Sequence, residues 1–155
     1  MIRVSVQEQP FDIGAETEVL SKDRHDIGAV VTFTGLVRDM AGGEAVHAMT
    51  LEHYPGMTEK ELERIAAQAE ARWPIISGRI IHRYGRLLAG DLIVLVVITS
   101  AHREAAFEAA WFIMDWLKTK APFWKHEEGQ HGGQWVEAKA EDDAATARWT
   151  TEEES

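Results

Sequence analysis

The chain contains no cysteine. Disulfides, zinc–thiolate centres and any thiol or persulfide chemistry carried on this polypeptide are thereby excluded. It has no apolar run long enough to span a bilayer, so no membrane association is expected. Met1-Ile2-Arg3 leads straight into a strand-like alternation rather than a signal peptide, and a cytoplasmic protein is the expectation. Basic residues are scarce: 16 Lys and Arg against 26 Asp and Glu leave a net charge of −10. A nucleic-acid partner is therefore not expected, because neutralising phosphates requires a basic face. Metal-ligand patterns are missing as well. His25, His47, His53, His82, His102, His126 and His131 form no helical i, i+4 pair and no His-x-His pair, so no metal site is expected. There is no Gly-x-Gly-x-x-Gly stretch, no phosphate loop and no nucleophile elbow, and no cofactor is expected.

What is present suits one compact unit. The 155 residues are 45% hydrophobic, enough for a real core. Between Lys139 and Ser155 six acids face two bases. We read residues 1–149 as a single domain and residues 150–155 as an acidic, disordered tail. Ile2, Val4 and Val6 alternate as a strand that ends at Pro10, and residues 11–21 suit a short helix. Residues 28–37, rich in β-branched side chains, read as a buried strand ending at Arg38. Residues 39–44, with Gly42-Gly43, read as a flexible loop before a strand over 45–53. Thr58 with Glu61 gives a capping-box pattern opening a helix whose inner face is Leu62, Ile65, Ala66, Ala69 and Trp73, until Pro74 stops it. Strands over 79–87 and 91–99 follow, the second apolar enough to be buried on both faces. A long helix over 102–121 and a final hairpin (123–127 with 134–138) complete the order. The class is α+β, with helices on a mostly antiparallel sheet.

Chemistry concentrates around the long helix. Its apolar stripe reads Phe107, Ala110, Trp111, Met114, Leu117, and Lys118 falls within it. A lysine facing a core loses hydration unless a partner or an anionic ligand accepts it; the alternative is that its stem snorkels in a last helical turn that favours cations. Lys125 follows Pro122-Phe123-Trp124. At the other end, Thr99-Ser100-Ala101-His102-Arg103 forms a strand-to-helix turn, where free N–H groups, His102 and Arg103 favour an anion, although Ser100 may equally serve only as a cap. Arg38 ends a strand beside a glycine-bearing loop and suits bidentate grip on phosphate. Arg103 and Lys118 lie fifteen positions apart on one helix, about 22 Å. One small ligand reaches both only across two subunits, which predicts a homodimer.

Four blocks in register then resemble one family: residues 30–35 (Val-Val-Thr-Phe-Thr-Gly), 51–57 (Leu-Glu-His-Tyr-Pro-Gly-Met), 99–103 and 117–125. Together they are similar to the large, catalytic subunit of molybdopterin synthase, across roughly residues 1–149. The resemblance implies an α/β-hammerhead fold with an additional antiparallel β subdomain. It also implies a sulfurtransferase that converts cyclic pyranopterin monophosphate to the dithiolene molybdopterin in molybdenum cofactor biosynthesis. The sulfur arrives as a thiocarboxylate on the C-terminal glycine of a small ubiquitin-like subunit ending in Gly-Gly, and the assembly is a heterotetramer around a homodimer of large subunits. A chain without cysteine fits that division of labour.

Carried onto this sequence, the resemblance makes Lys118 and Lys125 the two essential lysines and Arg38, His102 and Arg103 the anion-binding residues, the last two supplied by the neighbouring subunit. Phe33 and Met114 would line the pocket. Leu36 stands where relatives often carry a base, so it and Val37 would offer backbone or apolar contact only. His126 and Glu127 belong to a stretch that lines the substrate site. Lys118, with a lowered pKa, would move a proton, or while charged would stabilise developing negative charge. A competing expectation is a non-catalytic adaptor that only binds a ubiquitin-like partner; the presence of both lysines and Arg38 speaks against it.

Overall fold

The computed structural model describes residues 1–41, 44–119, 121–129, 132–136 and 149; for residues 40, 41, 44–47, 124, 126–129 and 132–136 it describes the backbone alone. Two sheets form the frame. The first has the order β1 (Ile2–Gln7), β5 (Ile75–Arg83), β7 (Leu92–Ser100), β2 (Ala29–Leu36). β1 pairs parallel to β5, and the other two pairings are antiparallel. In the second sheet β4 (Glu44–His53) is central. It pairs antiparallel with β3 (Met40–Ala41), β6 (Gly85–Leu88) and β8 (Phe123–Gly129), and β8 pairs with β9 (Gly132–Val136). This second sheet is the additional antiparallel β subdomain, and the class is α+β as expected.

Helices α2 (Met57–Arg72) and α3 (Arg103–Thr119) cover one face of the first sheet, where Leu62, Ile65 and Ala69 meet Ile80, Val96, Ile98, Ala106, Ala109, Phe112 and Ile113 in the main core. Helix α1 (Ile13–Ser21) closes the other face with Leu20 over Ile81, Leu95 and Val97. β7 is buried on both faces along most of its length, as its sequence implies. A third cluster, Val37, Met49, Leu51 and Leu87 with Tyr84, Ile93 and Phe123 against it, joins the two sheets. Trp149 packs onto the helices from outside: its Nε1 donates to Asp115 and its carbonyl accepts from Arg72, whose guanidinium lies 5.0 Å from the Phe112 ring.

Several sequence expectations are corrected. β2 is an edge strand, not a buried one, leaving Val30, Phe33 and Leu36 exposed, because among the described residues no strand lies beside its outer edge. The strand expected over 79–87 is two strands: β5 starts at Ile75, just after Pro74, and Gly85, at φ +89, turns the chain into the second sheet as β6. The loop read over 39–44 contains the short strand β3; residues 42 and 43 lie outside the described residues. α2 begins one residue before Thr58, with Gly56 as N-cap, and Glu59 rather than Glu61 accepts the Gly56 N–H at 2.6 Å. The acidic tail over 150–155 lies outside the described residues.

The largest correction concerns α3. Its buried face is Ala106, Ala109, Ala110, Phe112, Ile113 and Leu117, whereas Phe107 and Trp111 are exposed. The helix is apolar nearly all round, so periodicity does not select a face; the small alanines do, since they let its backbone approach the sheet closely. Lys118 is consequently exposed, not core-facing.

Candidate functional site

Lys118, at the end of α3, and Lys125, on β8, are separated by the turn that leads into the second sheet. α3 ends at Thr119, and the chain turns through Pro122 into β8. The turn is tied down by buried Thr58, whose hydroxyl accepts from the Tyr54 N–H at 3.2 Å and donates to the Pro122 carbonyl at 3.3 Å. Phe123 stands opposite His53 across the β4–β8 ladder and Lys125 opposite Leu51, so with a period of two Phe123 and Lys125 share one face of β8. That face looks onto the cluster joining the sheets, and Lys125 is half-buried there.

His82 lies at the end of β5. Its ring stacks on Phe123 at 3.9 Å and 20°, and its Nδ1 lies 2.9 Å from the Arg83 carbonyl. Nδ1 therefore carries the proton and donates it, leaving Nε2 as the lone-pair nitrogen. Burial lowers its pKa from 6.5 to about 4; the Arg83 hydrogen bond opposes this, and the charges of Lys118, Lys125 and His53 lower it further. The charges of Lys118, at the end of α3, and Lys125, on β8, thus both bear on this one imidazole. The His53 ring packs 4.2 Å from Tyr84 and 6.3 Å from Phe123, and its buried Nδ1 has no hydrogen-bond partner among the described residues. In the sequence His53 stands out only within the 51–57 block and as one of seven scattered histidines, and the one local signal for His82 is that it follows the apolar run Ile80-Ile81.

The remaining site residues divide by location. Val37 is buried in the cluster that Phe123 packs against, its N–H donating to Asp91 and its carbonyl accepting from Gly90. Arg38 follows it and is exposed; Leu36 and Phe33 on β2 are exposed, and Met114 is partly buried against the main core. The backbone of His126 and Glu127 pairs with Thr50 and Met49, and their side chains lie outside the described residues.

His102 and Arg103 are not brought to the lysines within the chain. They are exposed at the opposite end of α3, where the Ser100 hydroxyl donates to the Pro74 carbonyl at 2.8 Å instead of capping the helix. A hollow there is lined by Trp73, Pro74, Ser100, His102, Glu104 and Glu108, and its two carboxylates oppose an anionic ligand. Arg103 does not line this hollow, and His102 shares it with those carboxylates. Arg103, Phe107, Trp111, Met114 and Lys118, at steps of four, four, three and four, lie on one flank of α3. Among the described residues no three His, Cys, Asp or Glu side chains cluster as metal ligands, and no helix is long and apolar enough to cross a membrane.

Comparison with known proteins agrees with the sequence resemblance. Residues 6–120 match the family model described as MoaE protein. A protein of Mesorhizobium japonicum named molybdopterin synthase catalytic subunit is 54% identical over 154 residues, covering 97% of this chain and 95% of its own length. Among solved structures, the molybdopterin biosynthesis MoaE protein of Burkholderia ambifaria superposes with a TM-score of 0.82 at 51% identity, over 97% of this chain and 99% of that one. The crystal structure titled molybdopterin synthase from Staphylococcus aureus superposes with a TM-score of 0.78 at 32% identity, over 85% and 95%.

Proposed function

The chain belongs to the MoaE family, and from that premise we propose that it is the catalytic subunit of a molybdopterin synthase, an enzyme of molybdenum cofactor biosynthesis. The reaction is conversion of cyclic pyranopterin monophosphate to the dithiolene, with sulfur from the thiocarboxylated C-terminal glycine of a small ubiquitin-like subunit. The observation that carries this reading is the likeness to molybdopterin synthase catalytic subunits over nearly the whole chain, and the charges of Lys118 and Lys125 both bearing on buried His82 support it.

Each residue then takes a role. The thiocarboxylate sulfur attacks a side-chain carbon of the pterin, forming a C–S bond as the C–O bond at that carbon breaks and its oxygen leaves, as a phosphate oxygen or as water; water later cleaves the acyl–sulfur bond, leaving the sulfur on the pterin and a carboxylate on the small subunit. A second charged small subunit repeats the step. Lys118, exposed at the end of α3, reaches the substrate as proton donor or as a cation beside developing negative charge. Lys125, half-buried on β8, orients the glycine carboxylate or the phosphate. Arg38 grips the phosphate, and Phe33, Met114 and the Leu36–Val37 backbone bound the pocket, with His126 and Glu127 along its β8 side. Holding the reactants in one geometry supplies much of the rate.

The homodimer belongs to the same reading. Because Arg103 and Lys118 occupy one flank of α3, a two-fold axis passing near Trp111 sets the partner subunit's Arg103 and His102 opposite Lys118. Phe107 and Trp111, 60% and 55% exposed in the single chain, form the apolar seam between them.

The test is reconstitution with a thiocarboxylated small subunit and cyclic pyranopterin monophosphate, assaying dithiolene pterin. Wild type is expected to make product and Lys118→Ala to make none while keeping its fold. Complex formation without product from the wild type would return the chain to the adaptor class; near-normal yield from Lys118→Ala would remove that lysine from the chemistry.

A further inference from the structure

We infer that Gly28 and Ser100 are positioning residues for His102 and Arg103: they clamp the strand-to-helix turn that presents these two side chains to the partner subunit's site. This role rests on the homodimer and the reaction assigned above, but it has a readout of its own. β7 ends at Ser100, and only Ala101 and His102 separate it from the start of α3 at Arg103. The backbone at Ser100 and Ala101 therefore sets where both basic side chains stand. Side-chain contacts do not: both residues are exposed, and neither side chain has a hydrogen bond or ion pair among the described residues. Outward-facing groups without such anchors are aimed by their backbone alone.

That backbone is held from both neighbouring strands. Buried Ser100 pairs with Ala29 at the start of β2 and with Ile75 at the start of β5. Its hydroxyl donates to the Pro74 carbonyl at 2.8 Å, and its own carbonyl accepts from the Gly28 N–H at 3.0 Å. Gly28 completes the clamp by its size. Its φ is not positive, so a left-handed backbone is not what selects glycine there. A Cβ at this position would overlap the Ala101 carbonyl oxygen, a backbone atom that cannot give way unless the turn moves with it. Glycine thus lets the segment before β2 lie directly on the peptide that leads into His102. The same arrangement explains a serine that caps no helix: its hydroxyl fixes the turn to the start of β5.

Variants of the full chain separate this role from that of a merely structural glycine. Gly28→Ala should displace the turn and lower dithiolene formation about 100-fold, as an ångström-scale misplacement can. Thermal melting first establishes that it folds; should it not, Ser100→Ala, which loses only the tie to Pro74, replaces it in every step. The variant is then unfolded and refolded in equal mixture with a second one. With Lys118→Ala, a mixed dimer carries both lesions in one site and none in the other, so activity should rise to about a quarter of wild type. With Arg103→Ala, each site of a mixed dimer receives one damaged turn, and activity should stay at the level of the parents. The role is overturned if the folded variant is as active as wild type, if neither mixture recovers, or if Arg103→Ala restores activity. A second readout needs no substrate. The amide resonances of Ala101, His102 and Arg103 should shift in the variant while those of Leu117 and Thr119, at the far end of α3, stay in place; an unmoved turn likewise overturns the role. If the turn shifts but wild type makes no dithiolene, the positioning of the turn stands and the assigned reaction falls.

Discussion

At the scale of single residues, His82 ties acid stability to the site. The unfolded chain takes up a proton on this histidine near pH 6.5, whereas the folded protein resists until about pH 4. Its contribution is whole above pH 6.5 and is lost on acidification through that window, at up to about 1.4 kcal/mol per pH unit. Urea unfolding at pH 7 and pH 5 should therefore show wild type losing about 2 kcal/mol more than His82→Phe on going to the lower pH. Equal losses in the two proteins would mean that the imidazole titrates normally in the fold. Thr58 shows a different residue-level economy: read from sequence as a helix cap, it instead uses its hydroxyl twice, linking the start of α2 to the turn between the two lysines. Sequence pattern found the residue but not its partner, because Pro122 is 64 positions away.

At the scale of elements, α3 shows where pattern runs out. Its existence, length and position were legible, as were the double burial of β7, the inner face of α2 and the closing hairpin. Its orientation was not. Phe107, Trp111, Phe112, Ile113, Met114 and Trp116 offer apolar surface in nearly every direction, and area alone assigns the large side chains inward. The sheet selects the alanines because they allow close approach. Ala109→Leu is accordingly expected to overpack the α3–sheet contact and destabilise by about 1–3 kcal/mol, read by chemical denaturation. A neutral result would mean that the helix is seated on another face. Similarly, the β-branched run in β2 carries no sign that one edge lacks a strand among the described residues, since β-propensity reports fit to a pleated surface and not the number of neighbours. Of the proposed site, family resemblance names the lysines, Arg38 and the His102–Arg103 turn; the His53–His82–Phe123 cluster was not legible, because it is assembled from three strands distant in sequence.

At the scale of the whole molecule, one helix flank carries the lysine of one proposed site and the arginine of another, about 22 Å apart. Two inactive proteins should therefore cure one another. Lys118→Ala and Arg103→Ala are each expected to be inactive alone. Unfolded together and refolded as a mixture, about half of the dimers should pair one of each. Such a dimer concentrates both lesions in one site and leaves the other intact, so activity should return to about a quarter of the wild-type level. If each site were built within a single chain, the mixture would stay as silent as its parts. In the proposed dimer the fifteen-position step from Arg103 to Lys118 makes the active unit a property of the pair, and a defect in one subunit becomes a burden its neighbour can share.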